Sequence, residues 1–116
     1  MLNKLTIIIP TRNRHKSIKG QIDHIKNWGT QIFLLDGSND INLYLDNLSK
    51  THTHIKYIHN TNGQFARFEY MNNKIKTKYA MLMADDEFFI KESLEMCIKF
   101  LENNIDYVSC SGVSIG

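Results

Sequence analysis

Three carboxylates stand side by side at Asp85-Asp86-Glu87, after an apolar run and before Phe88-Phe89-Ile90. Like charges this close raise one another's pKa unless a cation joins them. A hard divalent cation such as Mn²⁺ or Mg²⁺ does so, sharing its oxygen ligands with substrate phosphates. The alternative for such a triplet is a solvated acidic turn. Its place at the carboxyl end of a buried strand favours the site, because ligands of α/β sheets bind there. Asp36 also closes an apolar run, ahead of Gly37-Ser38. Its carboxylate can accept from a base or a ribose hydroxyl, or it can serve an Asx turn or helix N-cap. Pro10-Thr11-Arg12-Asn13-Arg14 sets two guanidinium groups after a first apolar run. Arginine's planar fork suits phosphate, although two exposed arginines at a helix start are the plainer reading. Arg67, behind Asn60-Thr61-Asn62-Gly63, could reach a phosphate or pair with Asp36, or stand as an exposed helix charge.

The elements that must position these groups alternate. Leu5-Thr6-Ile7-Ile8-Ile9 is a β-branched run stopped by Pro10, the pattern of a strand buried on both faces. Ile18, Ile22 and Ile25 recur at helical spacing. Ile32 to Leu35 is a second strand; Ile41, Tyr44, Leu45 and Leu48 a second helix; Ile55 to Ile58 a third strand. Phe65, Phe68, Met71 and Ile75 mark a third helix, Tyr79 to Met83 a fourth strand, and Leu94, Cys97, Ile98 and Leu101 a fourth helix. A fifth strand is expected to begin at Tyr107-Val108-Ser109-Cys110. The order predicts one α/β domain over 1–116, a three-layer α/β/α arrangement around a mostly parallel sheet. Strands should end near Pro10, Asp36, His59 and Ala84.

Composition excludes more than it selects. The 116 residues suit one domain, and 42% apolar content suffices for a core. The net charge of +2 points to no nucleic-acid partner, but residues 1–26 hold six Lys or Arg and one acid. That cluster suits an anionic ligand or membrane headgroups, or a solvated helix face. Cys97 and Cys110 lack CxxC spacing and read as buried thiols of a reducing, cytoplasmic compartment. The N-terminal apolar run is too short for a signal peptide or a membrane span. His52, His54 and His59 have no further ligand at zinc-site spacing. No GxGxxG, Walker loop or Gly-x-Ser-x-Gly occurs.

Thr6-Ile7-Ile8-Ile9-Pro10-Thr11-Arg12-Asn13-Arg14 resembles the opening strand and loop of family 2 glycosyltransferases. Leu35-Asp36-Gly37-Ser38-Asn39-Asp40 is similar to their second signature, and Tyr79 to Glu87 to their metal-binding motif. Asn62-Gly63, Ala66-Arg67 and Asn73 resemble the approach to their third helix. The likeness spans essentially the whole chain. It implies a GT-A fold, a UDP- or GDP-sugar donor, and Mn²⁺ or Mg²⁺. By that resemblance the loop at Pro10-Thr11-Arg12 and Asp36 contact the base, Arg67 lies near base or phosphates, and Asp85 approaches the ribose. Asp86 binds the metal, with Glu87 as its companion. Leu35 stands where the family's signature has its first Asp, and Ala84 where many members have another.

Family members continue past this length with an acceptor-binding half. The expectation is therefore a partial GT-A domain whose general base lies beyond Gly116. The implied role is transfer to a saccharide or lipid-linked acceptor in bacterial surface polysaccharide synthesis, at the inner face of the membrane. The exposed edge of the last strand leaves room for a homo-oligomer. Competing readings are a noncatalytic nucleotide-binding or interaction module and a sugar-phosphate nucleotidyltransferase. The latter normally needs a glycine-rich loop where Pro10 to Arg14 has none. A phosphoacceptor receiver domain would carry its acidic pair after the first strand, where Arg12 and Arg14 stand.

Overall fold

The computed structural model describes residues 1–107, 109, 110, 114 and 115, and the side chains at 64, 65, 67, 70, 72, 114 and 115 lie outside that description. Four parallel strands carry the domain: β1 (Leu5–Thr11), β2 (Gln31–Asp36), β3 (Ile55–His59) and β4 (Tyr79–Leu82). Helices α1 (His15–Ile25), α2 (Leu43–Thr51), α3 (Gln64–Met71) and α4 (Lys91–Asn103) alternate with them. The sheet order is β3-β2-β1-β4. The chain thus runs outward from β1 to β3 and then returns to the other side of β1.

Strand side chains alternate between two layers, as the pleat requires. Ile7, Ile9, Ile32, Leu34 and Ile55 pack with Ile18, Ile22 and Ile25 of α1, Leu45 and Leu48 of α2, and Leu94 and Ile98 of α4. Ile8, Phe33 and Leu35 point the other way, against Met71 and the half-buried Phe68 of α3. Both faces of β1 and β2 are therefore apolar, which is why their sequences read as continuous hydrophobic runs. The expected three layers and mostly parallel sheet are what the chain forms.

Differences appear after β4. A two-residue strand β5 (Phe88–Phe89) pairs antiparallel with β6 (Ser114–Ile115) in a separate ribbon. Tyr107, Ser109 and Cys110 adopt no regular structure where a fifth strand was expected, and Val108 lies outside the described residues. Cys97 is half-buried and Cys110 exposed, so neither is the fully buried thiol that its apolar neighbours suggested. The apolar stripe of α4 places Cys97 at the margin of the buried face that Leu94 and Ile98 centre.

α4 is tied to the amino end of the sheet by charge. Glu102 pairs with Lys4 just before β1 and with Lys78 just before β4, the latter at 2.7 Å. Lys4 first, then Lys78, pull the Glu102 carboxyl down from its ordinary 4.5 to about 2. A depressed carboxyl favours the folded state above its unfolded pKa and loses that advantage as pH falls through the folded value. We expect Glu102 to titrate near pH 2 by carboxyl NMR, and the acid limb of the stability curve to flatten between pH 4.5 and 2 in Glu102→Gln. A Glu102 midpoint at 4.5 in the folded protein would refute the clamp.

Candidate nucleotide and metal site

The return of the chain across β1 makes the carboxyl ends of β1 and β4 a topological switch point, where α/β sheets open a crevice. β1 and β4 pair in register from Leu5↔Tyr79 to Ile8↔Leu82, and Met83 N–H still donates to the Ile8 carbonyl at 2.9 Å. Beyond that bond the strands part, and the loop Ala84–Glu87 faces the loop after Thr11. Thr11 Oγ1 donates to Asp85 Oδ2 at 2.9 Å across the gap. Arg14 Nη1 lies 3.5 Å from Asp85 Oδ1 and 3.8 Å from Asp86 Oδ2. Its guanidinium bridges the two carboxylates, Asp85 largely covered and Asp86 open to solvent.

Asn13 turns the first loop. It adopts φ 54°, a left-handed conformation that asparagine tolerates better than most residues. Its backbone N–H donates to Ser38 Oγ at 2.7 Å, while its side-chain oxygen accepts from Asn39 N–H at 3.2 Å. The first loop is thereby fastened to the turn after β2, and Arg12 and Arg14 stand at the rim.

That turn is built around Asp36, which is fully buried. Oδ1 accepts from Ser38 N–H at 2.9 Å and from the Ser38 hydroxyl at 2.5 Å; Oδ2 accepts from the Tyr57 hydroxyl at 2.5 Å. Tyr57 in turn accepts from Asn42 N–H at 2.9 Å, and Asn42 caps α2 by accepting from Leu45 N–H. Burial first, then the bond to Asp36, pushes the Tyr57 phenol well above its ordinary range. The Asx turn of Asp36 draws its carboxylate inward, and the neighbouring Gly37 lines the cleft.

The cleft between these loops encloses about 420 Å³. Pro10, Thr11, Arg12, Arg14 and Asp85 line it with Gly37, Thr61 and Gly63. Gly63 holds φ 101°, which a side chain would strain. Of the expected site residues, Pro10, Thr11, Arg12 and Asp85 come together here, with Asp86 reached through Arg14. Glu87 turns back on its own loop, its Oε1 accepting from Ala84 N–H at 2.9 Å. Among the described residues no three acidic, imidazole or thiol side chains converge on one point. The side chain of Arg67 lies outside the described residues; its backbone belongs to α3.

Two residues escaped the sequence reading. Tyr57 looks like strand filler, and only its hydroxyl betrays the relay to Asp36. Gln21 lies fully buried in α1 between Ile18 and Ile25, and its amide reaches the acidic loop. A polar residue at a core-facing helical position was the available signal. A larger cavity of about 620 Å³ opens near β3, lined by Phe33, Lys56 and Tyr57 among others. Among the described residues its lining includes no carboxylate, and its Ser49 and Thr77 hydroxyls are bonded to the protein's own carbonyls.

The Asp36 relay supplies a direct check. Tyr57→Phe removes the donor and leaves Oδ2 of a buried carboxylate short of a partner. Loss of a hydrogen bond to a charged group is worth roughly 1.5–3 kcal/mol, and chemical denaturation should show a loss of that order. A change below about 0.5 kcal/mol, the usual effect of a surface substitution, would mean that Tyr57 does not support Asp36.

The model of the family described as Glycosyl transferase family 2 matches residues 6–116. Among solved structures, the mannosyltransferase PcManGT from Pyrobaculum calidifontis, in complex with GDP-Man and Mn²⁺, superposes with TM-score 0.68 at 17% identity, over 84% of this chain and 32% of that one. S. aureus TarS superposes with TM-score 0.68 at 17% identity, over 85% of this chain and 19% of that one. TarS 1-349 in complex with UDP-GlcNAc gives TM-score 0.69 at 17% identity, over 85% and 31%. The chain spans about a fifth to a third of the length of these proteins. No curated protein matches it in sequence. With a family match over nearly the whole chain and a sheet that superposes on these structures, the protein belongs to glycosyl transferase family 2 and has the GT-A fold.

Proposed function

We propose that the cleft between β1 and β4 binds the nucleoside diphosphate part of a sugar donor, whose glycosyl group passes to an acceptor hydroxyl. The observation that carries this reading is the Arg14 guanidinium lying between Asp85 and Asp86 at the mouth of the cleft. Carboxylates and guanidinium groups are there at once, the combination that a metal-bound diphosphate requires. The complexes of the two structural neighbours, one with GDP-Man and Mn²⁺ and one with UDP-GlcNAc, support the same donor class.

The residues present fit a divalent cation. Asp85 and Asp86 offer hard oxygen donors, and the pair already attracts a positive group in Arg14. Two carboxylates leave coordination positions for diphosphate oxygens and water, as Mn²⁺ and Mg²⁺ prefer. Bound there, the cation would act as a Lewis acid toward the departing diphosphate. The chain's own groups do the remainder. Arg12 and Arg14 orient the phosphates through forked hydrogen bonds. Asp85, held by Thr11, faces the ribose, and the backbone of Gly37, fixed from below by Asp36, forms the wall against the base. Arg67 begins on the adjoining α3 and belongs to the same reading, near base or phosphates. Asp86 serves as metal ligand, and Glu87 contributes by shaping the loop.

The acceptor in this reading is a saccharide or lipid-linked glycan of bacterial surface polysaccharide. Among the described residues no helix is long and apolar enough to cross a membrane. Lys16 and Lys19 are exposed on α1 and suit contact with anionic headgroups.

Calorimetric titration of UDP and GDP into the full chain, with Mn²⁺ or with EDTA, tests the assignment. We expect Mn²⁺ to tighten binding at least tenfold, about 1.4 kcal/mol, and Asp86→Ala to abolish the difference. Asp85→Ala should weaken binding under both conditions. Equal wild-type affinities in Mn²⁺ and EDTA would falsify the metal reading, and failure of both nucleotides to bind would overturn the donor site itself.

A further inference from the structure

The acidic loop is short, exposed on one side and crowded with charge, yet it must present Asp85 and Asp86 in a fixed arrangement. Its own bonds go part of the way. Glu87 N–H donates to the Ala84 carbonyl at 3.2 Å, closing a turn, and Ala84 N–H donates to Glu87 Oε1. Both bonds lie inside the turn and leave its tilt toward the cleft undetermined. Thr11 holds the Asp85 side chain from β1, and an anchor for the turn's backbone comes from α1. Gln21 Nε2 donates to the Ala84 carbonyl at 2.5 Å and to the Glu87 carbonyl at 2.7 Å. One nitrogen with two hydrogens thus ties together the two residues that bracket Asp85-Asp86.

The amide's orientation is set by its surroundings. Two carbonyl oxygens accept from it, so an oxygen in the place of Nε2 would be repelled. The opposite atom, Oε1, is buried without a partner among the described residues. A buried unsatisfied acceptor is unfavourable, and a leucine or isoleucine would complete the apolar stripe of Ile18, Ile22 and Ile25 without it. Packing alone does not require glutamine at this position; the amide's bonds to two carbonyls of the acidic loop give the reason for it.

We infer that Gln21 is a positioning residue for the metal-binding pair: it sets the tilt of the Ala84–Glu87 turn and thereby the separation and direction of the Asp85 and Asp86 carboxylates. The inference rests on the metal reading for its functional consequence, but the positioning itself does not.

Gln21→Met keeps the length and removes both donors. Gln21→Glu, forced neutral by burial beside two carbonyls, retains one O–H and can satisfy one carbonyl. The measurements are Mn²⁺ affinity in the presence of UDP or GDP, nucleotide affinity in EDTA, and amide hydrogen exchange along the chain. In Gln21→Met we expect Mn²⁺ to bind about tenfold more weakly, nucleotide affinity in EDTA to fall by less than it does in Asp85→Ala, and exchange at Asp85 to Glu87 to accelerate tenfold or more while Leu34 in β2 is unchanged. Gln21→Glu should fall between wild type and Gln21→Met. A folded Gln21→Met with lowered thermal stability but wild-type Mn²⁺ affinity and loop exchange would overturn the inference and leave Gln21 a packing residue. If Gln21→Met fails to fold, Gln21→Glu decides on the same readouts: unchanged exchange at residues 85–87 overturns the inference, local acceleration supports it. If the wild type shows no Mn²⁺ effect, the metal reading falls, and loop exchange alone decides whether Gln21 positions the turn.

Discussion

The hydrogen bond from Thr11 to Asp85 exists because β1 and β4 are parallel neighbours whose ends part at the same level. Everything at the site depends on that pairing. Residues more than seventy positions apart are brought to one rim by the return crossover, which places β4 beside β1 after β2 and β3 have filled the other side. Had β4 joined the sheet beyond β3, two strands would separate Asp85 from the loop that carries Arg12 and Arg14. The apolar content of β1, buried on both faces, is thus the condition for the polar chemistry at its end: a strand covered by helices on both sides can have neighbours on both edges.

The site balances charge within a small space. Two carboxylates on one loop face the Arg14 guanidinium of the other, and no further described ion pair joins these loops. Arg14 is more than half exposed, so its attraction to the acidic pair is screened and modest. That modest strength suits a counter-ion which a small divalent cation can replace. A buried pair held at shorter range would resist exchange, because removing one partner leaves an uncompensated charge. Asp36 shows the contrasting case. Its carboxylate is fully buried with donors on both oxygens, an arrangement made for permanence. The acidic residues after β2 and β4, on either side of β1, thus differ: Asp36 is locked into the scaffold, whereas Asp86 is open to solvent.

The sheet was legible in the sequence because β1 and β2 are continuous apolar runs and their helices carry clear stripes. The strand ends at Asp36 and His59 coincide with the observed boundaries, and β1 extends one residue past Pro10. The region beyond β4 was harder to read. β5 has two residues, too few for any periodicity, and it pairs with a strand distant in sequence. At the site, residue types pointed to the loops but not to which way each side chain turns. Asp36 matched a ligand-binding signature, yet the hydroxyls of Ser38 and Tyr57 claim its oxygens. The Tyr57 contact crosses from β3 to the end of β2, information that resides in strand register rather than in local sequence. Gln21 was hidden for the opposite reason, a polar residue inside a stripe that reads well as plain core.

The two departures from the family's motifs make sense in the same terms. Leu35 stands where a carboxylate is usual, and it is fully buried with Ile8, Phe33 and Met71 beneath α3. A charge there would need a partner, and the described members of that cluster are all apolar, so leucine is what this core accommodates. Ala84 replaces another acid, but its contribution to the loop is made by the backbone: the N–H donates to Glu87, and the carbonyl accepts from Gln21 and from Glu87 N–H. No side chain at position 84 is required for any of these bonds. The negative charge that an acid at 84 would bring is carried one and two residues later, at Asp85 and Asp86, where Arg14 can reach both. The form of the turn thus does not depend on an acid at position 84, and its charge is carried by the residues that the turn directs toward β1.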